Sequence, residues 1–135
     1  MPSPGFEKVS RVIVEENQDA FMLCLLRDET SEGAYLILQC SQTPPTASDV
    51  ANGLDTYCLL DQNGAVHYGG VTRAVLGGSR LWLSFTDEAA EELGVLGANS
   101  ITLAVPPRDT RRVSDALRRI FTHGNPDRLP RLVGI

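Results

Sequence analysis

Apolar residues recur along this chain mainly with period two, the spacing of strands. Val9, Arg11 and Ile13 alternate with Ser10, Val12 and Val14, which predicts a first strand with apolar residues on both faces. Residues 20–26 are apolar throughout and predict a strand in the middle of a sheet that is covered on both sides. Residues 35–39 predict a third strand, antiparallel to the second across the charged loop 27–33. Pro44, Pro45 and several hydroxyl side chains exclude regular structure from 41–49, with room for one helical turn over 50–53. Further strands are expected at 56–60, at 65–68 resuming over 71–76, at Leu81, Leu83 and Phe85, and at Ile101, Leu103 and Val105.

The turns carry their own signals. Asn63-Gly64 predicts a tight hairpin. With these as the two turn residues, Leu60 faces His67, Cys58 faces Gly69 and Tyr57 faces Gly70. Gly69-Gly70 predicts a bulge or sharp bend, and Gly77-Gly78 another tight turn. Late in the chain the period changes to that of a helix. Thr86 is a cap residue, acids follow in the first turn, and Gly94 closes the segment. Asp109 is expected to cap a longer helix with Val113, Ala116, Leu117, Ile120 and Phe121 on one face, closed by Gly124. Residues 1–7 and 125–135 are expected to be extended tails. The predicted fold class is α+β: a mostly antiparallel, meandering β-sheet of about seven strands. One short and one longer C-terminal helix pack on one of its faces.

Composition narrows the function. The chain has 135 residues and a net charge of −5, which fits one domain spanning 1–135. That charge argues against a dedicated nucleic-acid or anionic-membrane binder. No apolar run approaches the roughly 20 residues of a membrane-spanning helix. Met1 to Gly5 shows no basic region followed by an apolar stretch, so no signal peptide is expected. Cys24, Cys40 and Cys58 are odd in number and widely spaced, which predicts reduced, buried thiols in a cytoplasmic protein. Residues 1–68 carry three bases against ten acids, −7, whereas 69–135 carry nine against seven, +2. The acids Asp28, Glu29, Glu32, Asp49 and Asp55 fall between predicted strands. They mark an acidic loop edge as the expected partner-facing side.

Chemistry is sparse. The predicted hairpin places Cys58 diagonal to His67, about 7–8 Å apart at Cβ, too far for a hydrogen-bonded nucleophile and base. His67 and His123 are the only histidines, and no zinc-ligand spacing joins them to the cysteines. No metal, cofactor or catalytic set is therefore expected. Arg108, Arg111, Arg112, Arg118 and Arg119 read as a solvated helix face.

The block from Asp55 to Val71 contains Tyr57, the Asn63-Gly64 turn and Tyr68-Gly69-Gly70. With the strand 35–39 and the strand, helix, strand, helix order over 80–121, it resembles the immunity protein 10 family of bacterial polymorphic toxin systems. The resemblance covers roughly residues 8–121. It implies a non-enzymatic antidote that binds and neutralises a cognate protein toxin; the chain itself is expected to be a monomer or weak homodimer. It brings no catalytic residues with it. The candidate partner-binding residues are Glu29, Glu32, Asp49, Asp55, Tyr57 and Tyr68. Two other readings stay open: an oligomerisation domain pairing through exposed edge strands, and a small-ligand pocket near Tyr57, His67 and Tyr68.

Overall fold

A computed structural model describes residues 7–28 and 34–135. In chain order its first strands are β1 (Lys8–Val9), β2 (Arg11–Glu16), β3 (Ala20–Leu26) and β4 (Tyr35–Ser41), followed by helix α1 (Ala47–Ala51). Then come β5 (Cys58–Asp61), β6 (Val66–Tyr68), β7 (Val71–Gly77), β8 (Arg80–Phe85), α2 (Asp87–Leu93) and β9 (Ala98–Leu103). Helix α3 (Pro107–Ile120), a 3-10 turn (Pro126–Arg128) and β10 (Arg131–Val133) complete the described chain. The strands form two five-stranded sheets, β2-β3-β4-β5-β6 and β1-β9-β8-β7-β10. The first is an antiparallel meander. In the second, the outer strands β1 and β10 run parallel to their neighbours.

The architecture is α+β and mostly antiparallel, as expected, but among the described residues ten strands in two sheets replace about seven in one. Three causes account for the difference. The first predicted strand divides at Ser10, so that β1 joins the second sheet and β2 the first. Gly69-Gly70 does more than bend a strand: both residues take positive φ, 71° and 94°, and the chain leaves the first sheet there to enter the second. The expected tail at 125–135 is docked, with β10 pairing β7 in the register Leu132↔Ala74.

The helices also differ in detail. Thr46 and Asp49 form a reciprocal capping box that starts α1 inside the stretch expected to be irregular. Pro106, not Asp109, precedes α3. Pro107 opens the helix, and Asp109 bonds to Arg112 instead. Gly124 does not close the helix; it bridges to Thr56. At α2 the expectation holds: Thr86 accepts from Ala89 N–H, and Gly94 is left-handed.

One core unites the layers. Leu23, Leu25, Leu38 and Leu59 of the first sheet join Leu81, Leu83, Ile101 and Leu103 of the second and Val113, Leu117 and Ile120 of α3, all at most 2% exposed. A narrow gap lined by Leu36 and Asp61 on one side and Leu83, Phe85 and Ile101 on the other marks where the sheets face each other. Helix α3 lies across β2, β3 and β4. Its Arg119 guanidinium sits 4.1 Å from the centre of the Phe21 ring and pairs with Glu16 at 3.2 Å. Helix α2 packs against β6 and β8.

Candidate functional site

The hairpin register decides what the first sheet shows to solvent. Asp61 accepts from Asn63 N–H and Ala65 N–H, and its own N–H reaches Ala65 C=O. The loop therefore holds three residues, 62–64, with Gly64 at φ 81°. One extra residue shifts the pairing by one, and a one-residue shift reverses the faces. Cys58 stands opposite Tyr68, Leu59 opposite His67 and Leu60 opposite Val66. This corrects the expected pairs, and it places Cys58 and His67 on opposite faces of the sheet.

On the outer face, neighbouring residues run Ile13, Cys24, Ile37, Leu60 and Val66 across all five strands. A second row runs Glu15, Met22, Gln39, Cys58 and Tyr68, and a third holds Arg11, Leu26 and Tyr35. The middle row carries no charge. Ile13, Met22, Cys24, Tyr35, Ile37, Leu60 and Tyr68 are half-buried, and Val66 is 48% exposed. Both α2 and α3 lie on the other face, against His67 and against Glu16 and Phe21 respectively. The apolar run 20–26 is thus central in its sheet, as expected, but its outer side is not covered by either helix. A contiguous apolar surface with charged groups at its rim is the usual mark of an interaction site.

The ionisable side chains in the two longer rows of this face, Glu15 apart, are shifted toward their neutral forms. Burial raises the Cys24 thiol, and the Glu15 charge adds to the effect. Burial also raises the Cys58 thiol, a hydrogen bond with Gln39 opposing it. The Tyr68 phenol is raised by burial first, then by Cys58 and by the charge of Asp49. The Asp49 charge thus reaches Tyr68, and the Asp49 carboxylate itself accepts from Thr46 N–H at 2.9 Å.

The other candidate residues sit elsewhere. Tyr57 is 0% exposed: its hydroxyl accepts from Val71 N–H at 2.9 Å, and its ring meets Phe121 edge-on at 5.0 Å. Asp55 is 7% exposed and holds the C-terminal segment. Its carboxylate accepts from Asn125 at 3.0 Å and Arg128 at 3.2 Å. Arg128 also donates to Gly53 C=O and Tyr68 C=O. Glu29 and Glu32 lie outside the described residues. The pocket expected near Tyr57, His67 and Tyr68 is a cleft lined by His67, Tyr68, Glu88 and Arg128, and Tyr57 does not line it.

The Asp55 latch makes stability pH-dependent. Burial raises its carboxyl, but the bonds from Asn125 and Arg128 prevail and hold it below the ordinary 3.8. A depressed carboxyl stabilises the fold above its unfolded value, and that stability is lost as pH falls through the folded value. Asp55→Asn is expected to lower Tm at pH 7, and the gap to the parent should shrink in melts run below about pH 4. A gap that stays constant into strong acid would show that the charge is not what holds the segment.

The family model described as Immunity protein 10 matches residues 8–111. The entire outer face of the first sheet lies within that range. Comparison with curated proteins and with solved structures gives no match.

Proposed function

This chain belongs to the immunity protein 10 family, and from that membership we propose that it neutralises a protein toxin by covering it with the outer face of the first sheet. The family points to a toxin-neutralising role and is generally non-enzymatic. The observation that carries the surface assignment is the uncharged row Ile13, Cys24, Ile37, Leu60 and Val66, apolar yet partly open to solvent. Leu26 and Cys58 on this face are already buried, whereas the side chains of that row stay partly open and gain further burial from a partner. Tyr35, Met22 and Tyr68 flank that row with large contact area, and Arg11, Glu15 and Asp49 supply charges around it that fix orientation.

Val66→Glu tests the assignment, because Val66 is exposed enough for a charge to leave the fold within about 0.5 kcal/mol of the parent. Inside an interface the same charge should cost about 2 kcal/mol or more, roughly 30-fold in Kd. The measurement is binding to a toxin from a neighbouring gene that the parent protein neutralises, together with protection of cells that co-express that toxin. Val133→Glu, at a 38% exposed position on the second sheet, is expected to leave both unchanged. Equal affinity for parent and Val66→Glu would exclude the face. A dimer in sedimentation that Val66→Glu dissociates would assign it to a second copy of the chain instead.

A further inference from the structure

His67 lies on the inner side of β6, opposite Leu59, where α2 packs against the strand. Glu88 and Glu92 stand four residues apart on α2 and so share one face of the helix. His67 Nδ1 is 2.6 Å from Glu92 Oε2, and one ligand atom from each of His67, Glu88 and Glu92 falls within 4.8 Å of the others. The far edge of the imidazole is closed off. A Cβ built on Gly70 would lie 2.7 Å from His67 Cδ2 and 2.9 Å from Nε2. The ring is thus wedged against Gly70 with Nδ1 turned to the carboxylates, and its side chain is 12% exposed.

The protein balances the charges in this cluster only in part. Carboxylates one turn apart on a helix repel each other. Helix α2 carries no Lys or Arg, and Glu88 makes no ion pair among the described residues. The imidazole faces Glu92, while Glu88 has the N-terminal end of α2 and, across the cleft, Arg128, whose own ion pair is with Asp55. An ion of charge two would compensate both, and one nitrogen with two carboxylate oxygens suits a borderline transition metal better than Mg2+ or Ca2+, which prefer oxygen alone. His67 and Glu88 also line a solvent-open cleft together with Thr86 and Arg128, from which water can reach an ion held there.

We propose that His67, Glu88 and Glu92 bind a divalent transition-metal ion of the Zn2+ class. The ion would tie β6, an edge strand of the first sheet, to α2, which also packs on β8 of the second. It would therefore stabilise the junction where the chain changes sheets.

The test titrates the full chain with ZnCl2 by calorimetry and follows Tm. One Zn2+ per chain with a rise in Tm is expected, since a ligand held only by the folded state stabilises it. Glu88→Gln, a change at an exposed position, should weaken binding about 10-fold or more, and His67→Ala should abolish the Tm rise. Cys24→Ser should leave both unchanged. Failure to bind one Zn2+ per chain overturns the site, as does binding that Glu88→Gln retains and Cys24→Ser removes. An equal Tm rise with MgCl2 would remove the imidazole from the ligand set and overturn it too.

Discussion

Tyr57→Ala is expected to destabilise the protein by about 3–5 kcal/mol, the range for removing a buried aromatic ring. Tyr57 is among the largest fully buried side chains and packs edge-on against Phe121 at the end of α3. Its hydroxyl also accepts from Val71 N–H and donates to Val71 C=O, the first backbone groups of β7. The side chain thus joins the first sheet, the second sheet and the helix at one point. For a chain of this length the loss lowers Tm by roughly 10–20 °C. Tyr57→Phe isolates the polar part: it keeps the ring and leaves two buried backbone groups unanswered, at about 1–3 kcal/mol each. Both losses are read from chemical denaturation. Toxin affinity of the Tyr57→Phe variant, measured where it is fully folded, should match the parent, because no part of Tyr57 reaches the surface. A Tyr57→Phe variant of parental stability that binds toxin poorly would return Tyr57 to the interface and refute its core role.

Gly70→Ala is expected to be comparably damaging for a different reason. Gly70 has φ 94°, and a Cβ there would sit 2.6 Å from Ala89 Cβ as well as against the His67 ring. Strain at such a backbone angle costs about 1–3 kcal/mol, and forcing the overlap about 1–3 kcal/mol more. Ala89 belongs to α2 and has no exposed surface, so it cannot swing aside as a flexible side chain would. Gly78→Ala serves as the reference: φ is also positive, 59°, but a Cβ there meets nothing within 4 Å. It should show the strain alone. Equal denaturation midpoints for the two variants would show that α2 and His67 yield to the added methyl group.

Elements whose bonds close within a few residues were legible in the chain. The α2 cap is one, since Thr86 Oγ1 accepts from Ala89 N–H three residues on, and the turn residue Gly94 follows directly. The strand over 35–39 and the alternation of Leu81, Leu83 and Phe85 are others, because period two reports one buried face whatever lies opposite. The hairpin at Asn63-Gly64 was legible as a turn but not in register. A side chain decided the register: Asp61, by capturing two N–H groups, lengthened the loop by one residue. Nothing local announced β10, whose partner β7 lies more than fifty residues earlier in the chain. A parallel pairing across that distance has no turn of its own.

The candidate surface divides in the same way. Alternating and continuous apolar runs in residues 11–68 determined that the first sheet has apolar residues on both faces. They could not determine which face the rest of the molecule would cover, because that depends on where α2 and α3 settle. Both settled on the side of Phe21 and His67, leaving the row of Ile13, Cys24, Ile37, Leu60 and Val66 partly open. The same packing brought His67 to Glu88 and Glu92, residues more than twenty positions apart that no spacing rule connects. Of the acids that the charge distribution singled out, Asp49 caps α1 and its charge is felt at Tyr68, whereas Asp55 is drawn inside to hold Arg128. The sequence by itself determined the α+β class, the placing of most strands and the excess of apolar surface. Tertiary structure alone decided the split into two sheets, the hairpin register and the exposed face, because each depends on contacts between segments far apart in the chain.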